Sequence, residues 1–129
     1  MLIILLYMTR TDQLMALRPI VNIDNSKSSL HLEEFQNNTL RPILKFQNEI
    51  ILALVNNSLA KVILPKSAVE KVLFIENYIQ KNHILKNQLI GLTIALFTES
   101  EVAFYLNYQS DINRRINQLI IKRVGDQIT

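Results

Sequence analysis

At 129 residues the chain has the length of one domain, since single cores occupy about 100–200 residues and bury well over half of their unfolded surface. It has no cysteine, which excludes disulfides, thiol catalysis, iron–sulfur clusters and thiolate zinc sites and permits a reducing compartment. The formal charge of +3 is a modest, interspersed excess that weakly permits an acidic partner, and only two glycines leave β-sandwich turns and glycine-lined phosphate loops poorly supplied.

An all-α fold is therefore expected, and the elements follow in chain order. The opening MLIILLYM is apolar but far short of the roughly 20 residues that span a bilayer. It also lacks the basic region and cleavage site of a signal peptide. Met8, followed by polar TRTDQ, is a second plausible start, which makes Met1 to Tyr7 either a start-site artefact or an apolar strap. Thr11 to Leu17 reads as a short helix with Leu14 and Leu17 on one side and Pro19 stopping it. NIDNSKSS, from Asn22 to Ser29, gathers side chains that bond their own backbone and compete with helix, so an exposed loop is expected there.

Helix resumes near Leu32, and Thr39 can cap a stronger one with Pro42 in its first turn. From Leu40 to Asn56, the residues Leu40, Ile43, Ile50, Ile51 and Leu54 share a face, with Gln47 in its middle as an amide that must find a partner. SAVE, from Ser67 to Glu70, and TESE, from Thr98 to Glu101, fit the capping box, in which a hydroxyl and a carboxylate satisfy free N–H groups at a helix start. Behind the first, Ala68, Val72, Ile75 and Ile79 form a stripe, with Phe74 and Tyr78 as a pair on another side.

A break near Lys81 to His83 leads into ILKNQLIGLTIALF, where Leu85, Leu89, Leu92 and Leu96 lie along one line and Ile90, Ile94 and Phe97 along another. This helix is expected to be central and most buried, with Gly91 and Ala95 offering a shallow strip to a neighbour's backbone. The next helix runs from Thr98 through Tyr108, and the last starts at Ser110 or Asp111. Ile112, Ile116, Leu119, Ile120 and Val124 form its apolar face, and Gly125 is placed to close it in a left-handed cap.

Chemistry is thinly supplied. His31 and His83 belong to no Glu-x-x-His or His-x-x-x-His pair, and His31 with Glu33 and Glu34 is a weak cluster, so no metal site and no cofactor is expected. No serine sits in a Gly-x-Ser-x-Gly elbow. The carboxylate pairs Glu33–Glu34 and Glu99–Glu101 fall in first turns, where anions favour the helix dipole. The most suggestive segment is FYLNYQSDINRR, where Phe104, Tyr105 and Tyr108 precede Arg114 and Arg115, a mixture that can stack bases and neutralise phosphates. Its plainer reading is a core plus a solvated face, with Tyr105 turned inward, Asp111 pairing with Arg115, and Lys122 and Arg123 suiting a helix C-terminus.

The segments FQNNTLRPILKFQNE and LFTESEVAFYLNYQSDINRRI resemble a family of short, all-helical bacterial proteins of unknown function. The shared features are a Leu-Arg-Pro helix start, a Gln-Asn pair, an aromatic-rich segment after a Phe-Thr step, and an Arg-Arg pair. The resemblance covers most of the chain after Met8 and carries no site residues. Some members bear a glyoxalase label, but metal-chelating glyoxalases use β-rich modules with His and Glu ligands, and this sequence lacks both.

The sequence thus predicts a single all-α domain over 1–129, a bundle of five or six helices around Leu85 to Phe97, soluble and cytoplasmic. Its expected role is a non-catalytic protein-interaction or assembly module that forms a homodimer. A mean hydropathy of +0.15 and surplus apolar positions at Leu52, Phe74, Tyr78, Phe104 and Tyr108 point to that state. The expected interaction surface is Phe74, Tyr78, Phe104, Tyr108, Arg114 and Arg115. One alternative is a nucleic-acid-associated protein using Arg114, Arg115, Lys122 and the tyrosines; another is an enzyme with an unrecognised all-α pocket.

Overall fold

The computed structural model describes residues 8–21 and 31–128, and every regular element among them is helical. The expected strap from Met1 to Tyr7 and the expected loop from Asn22 to Ser29 lie outside the described residues. In chain order the helices are α1 (Arg10–Leu17), α2 (31–46), α3 (Asn48–Leu59), α4 (Ala68–Lys81), α5 (His83–Ile94), α6 (Glu99–Asn107) and α7 (Gln109–Ile128). The all-α expectation holds, with seven helices among the described residues instead of five or six.

Part of that difference arises at Gln47, whose φ of −87° and ψ of 5° divide the single helix expected from Leu40 to Asn56. The bend changes the register of the apolar face. Ile43, Leu44, Ile51, Val55 and Leu59 are buried, whereas Ile50 is 53% exposed. Gln47 finds the partner its position demands, donating from Nε2 to the Leu92 carbonyl at 3.0 Å.

α2 continues through the place where a helix start was expected. His31–Phe35 is α-helical, Gln36–Leu40 is a π-helical turn, and Arg41–Phe46 returns to α geometry, with the Arg41 N–H bonded to the Gln36 carbonyl. Pro42 gives the physical reason. It has no N–H to donate and its ring crowds the carbonyl four residues back, and a widened turn absorbs both without ending the helix. Thr39 is consequently no cap; it lies buried inside α2 and turns its hydroxyl towards α6.

The core is built on α7 as much as on α5. Ile112, Ile116, Ile120 and Val124 repeat every four residues along α7 and are fully buried, and this helix packs on α3, α4, α5, α6 and the π turn. The segment 85–97 does enter the core through Leu85, Leu89, Thr93 and Phe97, while Leu92 and Leu96 are only half-buried. α5 leaves one face to solvent. Gly91 and Ala95, expected to receive a neighbour, are exposed, and a Cβ on Gly91 would meet nothing within 4 Å. Gly91→Ala is therefore expected to stabilise the fold by about 1 kcal/mol, the ordinary propensity gain in a helix interior. A urea midpoint that falls in this variant would reveal a neighbour packed on the strip.

Close helix approach occurs instead at Gly125. It does not close α7 in a left-handed cap, because α7 runs on to Ile128 and no glycine among the described residues has positive φ. It is buried, and a Cβ there would lie 3.7 Å from Val72 Cγ1 of α4.

The helix starts follow their local chemistry. Thr98 and Glu101 form the full capping box expected from TESE, with Glu101 N–H on Thr98 Oγ1 and Thr98 N–H on Glu101 Oε1 at 3.3 and 2.8 Å. Ser67 caps α4 through the Glu70 N–H, Asn82 caps α5 through the Leu85 N–H, and Thr9 with Asp12 forms a further box at α1.

Candidate functional site

The residues expected to form an interaction surface do not lie on one face. Tyr78 is half-buried, its hydroxyl 2.8 Å from Ser58 Oγ and donating to the Ser58 carbonyl at 3.1 Å, so it ties α4 to α3. Phe74 stacks beside it with ring centroids 6.2 Å apart. Phe104 meets two rings of its own chain, stacked on Phe35 and tilted against Tyr108, each with centroids 4.8 Å away. Of these four aromatics only Tyr108 remains exposed.

The arginine pair divides as well. Adjacent positions on a helix diverge by about 100°. Arg114 points to solvent and pairs with Asp111 at 3.1 Å, while Arg115 turns inward and donates to Gln36 Oε1 of α2 at 2.9 Å. Asp111 thus pairs with Arg114, not with Arg115. Tyr105, buried as expected, donates to Asn113 Oδ1 at 2.7 Å. His31 and His83 are both exposed, and no cluster of three metal-ligating side chains occurs among the described residues.

A polar centre that the sequence did not foretell lies where α1 meets the junction of α5 and α6. Arg18 clasps the Glu101 carboxylate with both terminal nitrogens, one of them at 2.8 Å, and also donates to the Leu96 carbonyl at 3.0 Å. Thr39 adds its hydroxyl to Glu101 Oε2 at 2.7 Å. Arg10 reaches the carbonyls of Phe97 and Ala95 at 2.8 and 3.1 Å. Two guanidinium groups thereby satisfy carbonyls at the C-terminal end of α5, where the helix dipole also favours positive charge. Burial opposes ionisation of Glu101, but the hydrogen bonds from Arg18, the Thr98 N–H and Thr39 outweigh it and hold the carboxyl below the ordinary glutamate range. Glu101 thus accepts from three residues, and although Arg18 Nε stays buried without a partner, the cross-links from α1 and α2 to the start of α6 mark this centre as a structural tie.

Several depressions mark the described surface, one of about 650 Å³ passing Arg114, and two others gather apolar or basic side chains suited to a partner. A groove of about 570 Å³ runs past Phe74, Tyr78, His83 and Ile84. A second cleft, of about 310 Å³, lies between α2 and α7 and gathers Arg41, Lys122 and Arg123. Lys122 and Arg123 therefore join Arg41 of α2 in that cleft, which does not include Arg114, Arg115 or the tyrosines.

Comparison with protein-family models, curated proteins and solved structures gives no match, so neither the resemblance to short bacterial proteins nor any assigned activity gains support from a relative.

Proposed function

We propose that the protein is a non-catalytic helical interaction module that self-associates through the outer face of α4. The observation that carries this reading is an exposed apolar row that the core does not use: Val69 is 73% exposed, Leu73 59%, and Ile84, just beyond α4, 76%. Ile84 also lines the groove of Phe74 and Tyr78. Exposed apolar side chains beside an apolar groove are the kind of surface that marks contact sites.

A second copy of the chain is the occupant, because the face is complementary to itself. Glu70 lies in the first turn of α4 and Lys81 in its last. In an antiparallel twofold pairing centred between Leu73 and Asn77, Glu70 comes within one residue of the level of the partner's Lys81 at both ends, while each Leu73 packs beside the partner's Asn77 and towards its apolar row. A twofold contact requires this reciprocity. Phe104 and Tyr108, the other aromatics expected to drive association, already meet within the chain, and Phe104 also stacks on Phe35.

Sedimentation equilibrium over a wide concentration range is the test. The expected result is a mass rising towards twice 15.0 kDa for the full chain, and a monomer for Leu73→Glu with an unchanged thermal melt. A constant mass near 15.0 kDa would end the proposal, as would a chain that dimerises only when Met1 to Tyr7 is removed, which would assign the face to that segment.

A further inference from the structure

Arg41 on α2 and Lys122 and Arg123 on α7 converge on a single cleft whose lining also includes Leu44 and Leu119. None of the three cations is in an ion pair among the described residues, where the pairs are Arg18 with Glu101 and Arg114 with Asp111. Their fixed contacts are neutral amides. Arg41 donates from Nε to Asn37 Oδ1 at 3.1 Å, and Arg123 donates from Nη1 to Asn48 Oδ1 at 3.5 Å. Asn48 is itself held by Gln127 in a reciprocal amide pair, each bond 2.8 Å long. These partners orient the guanidinium groups without neutralising them. Asp126 lines the cleft but forms no ion pair with the three cations.

Such an arrangement is costly in the free protein. Burial disfavours the charged form of Arg123, and the nearby charge of Arg41 disfavours it further, holding its pKa below the ordinary arginine value. An anion in the cleft offsets both by direct attraction. Two guanidinium forks and an ammonium supply more donors than one carboxylate accepts, and they suit the three oxygens of a phosphate. The half-buried Leu119 beside them suits a non-polar body, with Leu44 sealed beneath the floor, and the volume matches the lower end of small-ligand pockets, about 300 Å³.

We propose that this cleft binds a phosphate monoester with an apolar body, its phosphate held by Arg41, Arg123 and Lys122 and its body resting on Leu119. Calorimetric titration at constant ionic strength with phenyl phosphate, inorganic phosphate and a short single-stranded oligonucleotide tests it. Phenyl phosphate is expected to bind saturably and more tightly than inorganic phosphate. Arg41→Gln should weaken it about tenfold or more, the loss of charge-assisted hydrogen bonds, and Lys122→Gln by a smaller factor. Arg114→Gln, on a basic residue outside the cleft, should leave it unchanged. Lys122 is exposed, so Lys122→Gln carries the test alone if Arg41→Gln does not fold. The absence of saturable phenyl phosphate binding, or equal weakening by Arg114→Gln, would overturn the proposal. Oligonucleotide binding that depends on Arg41 without phenyl phosphate binding would also overturn it and assign the cleft to nucleic acid.

Discussion

Phe97→Ala is expected to destabilise the protein by about 3–5 kcal/mol, a large share of the roughly 5–15 kcal/mol that holds a domain of this size together. Phe97 is fully buried at the junction between α5 and α6. Its ring meets Phe35 of α2 edge-on at 5.5 Å and Tyr105 of α6 at 5.8 Å, so its removal opens a cavity lined by rings on two other helices. Those rings are not free to collapse into the space. Phe35 stacks on Phe104, and Tyr105 is tethered through its hydroxyl to Asn113. Urea unfolding is the measurement, with Phe104→Ala as a comparison expected to cost less because Phe104 is half-buried. A Phe97→Ala midpoint shifted by no more than the roughly 0.5 kcal/mol typical of surface exchanges would place this ring outside the core.

The contrast between Phe97 and Phe104 shows where sequence reasoning succeeds here and where it stops. The start of α6 is legible because its chemistry is local: Thr98 and Glu101 are three residues apart and satisfy each other, whereas Thr39 looks like a cap and lies inside α2. The α7 stripe was legible because spacing alone puts Ile112, Ile116, Ile120 and Val124 on one side. Spacing does not say which of two apolar sides a neighbour covers. Ile50 and Gly91 were assigned to covered faces and lie open, while Gly125 was assigned to a helix end and lies beneath α4. Spacing makes Phe104 surplus to its helix, but Phe35, 69 positions earlier in the chain, stacks on it.

The candidate sites were harder still to read. Lys122 and Arg123 were noted as cations at a helix end, but their companion Arg41 comes from another helix, and nothing in the spacing of either segment announces the pairing. Conversely, Arg114 and Arg115 looked like one basic patch because they are adjacent, and adjacency is what separates them on a helix. The α4 face is intermediate. Phe74 and Tyr78 stand out in the sequence as a second apolar side, but the most exposed apolar residues there are Val69, Leu73 and Ile84, which no spacing singles out.

Glu101→Gln is expected to cost about 3–5 kcal/mol at neutral pH, because it leaves the Arg18 guanidinium buried without its counter-charge. The side chains of Arg18 and Glu101 are 7% and 15% exposed, so water compensates little for the loss. The same carboxylate receives the Thr39 hydroxyl and the Thr98 N–H, and a neutral amide cannot accept from all of them on both of its termini. The pH dependence separates this tie from simple packing. Because the folded protein holds the Glu101 carboxyl below its ordinary pKa, its contribution is fully present above the unfolded value of about 4.3 and disappears as pH falls through the folded value. Wild type and Glu101→Gln should therefore differ most at neutral pH and converge on acidification, since protonated Glu101 resembles the amide that replaces it. Chemical denaturation of both proteins from neutral pH down to the acid limit reads this directly. A gap that stays constant with pH would show that Glu101 acts through shape alone, and Arg18→Met in the Glu101→Gln background should recover part of the loss by removing the unpaired charge.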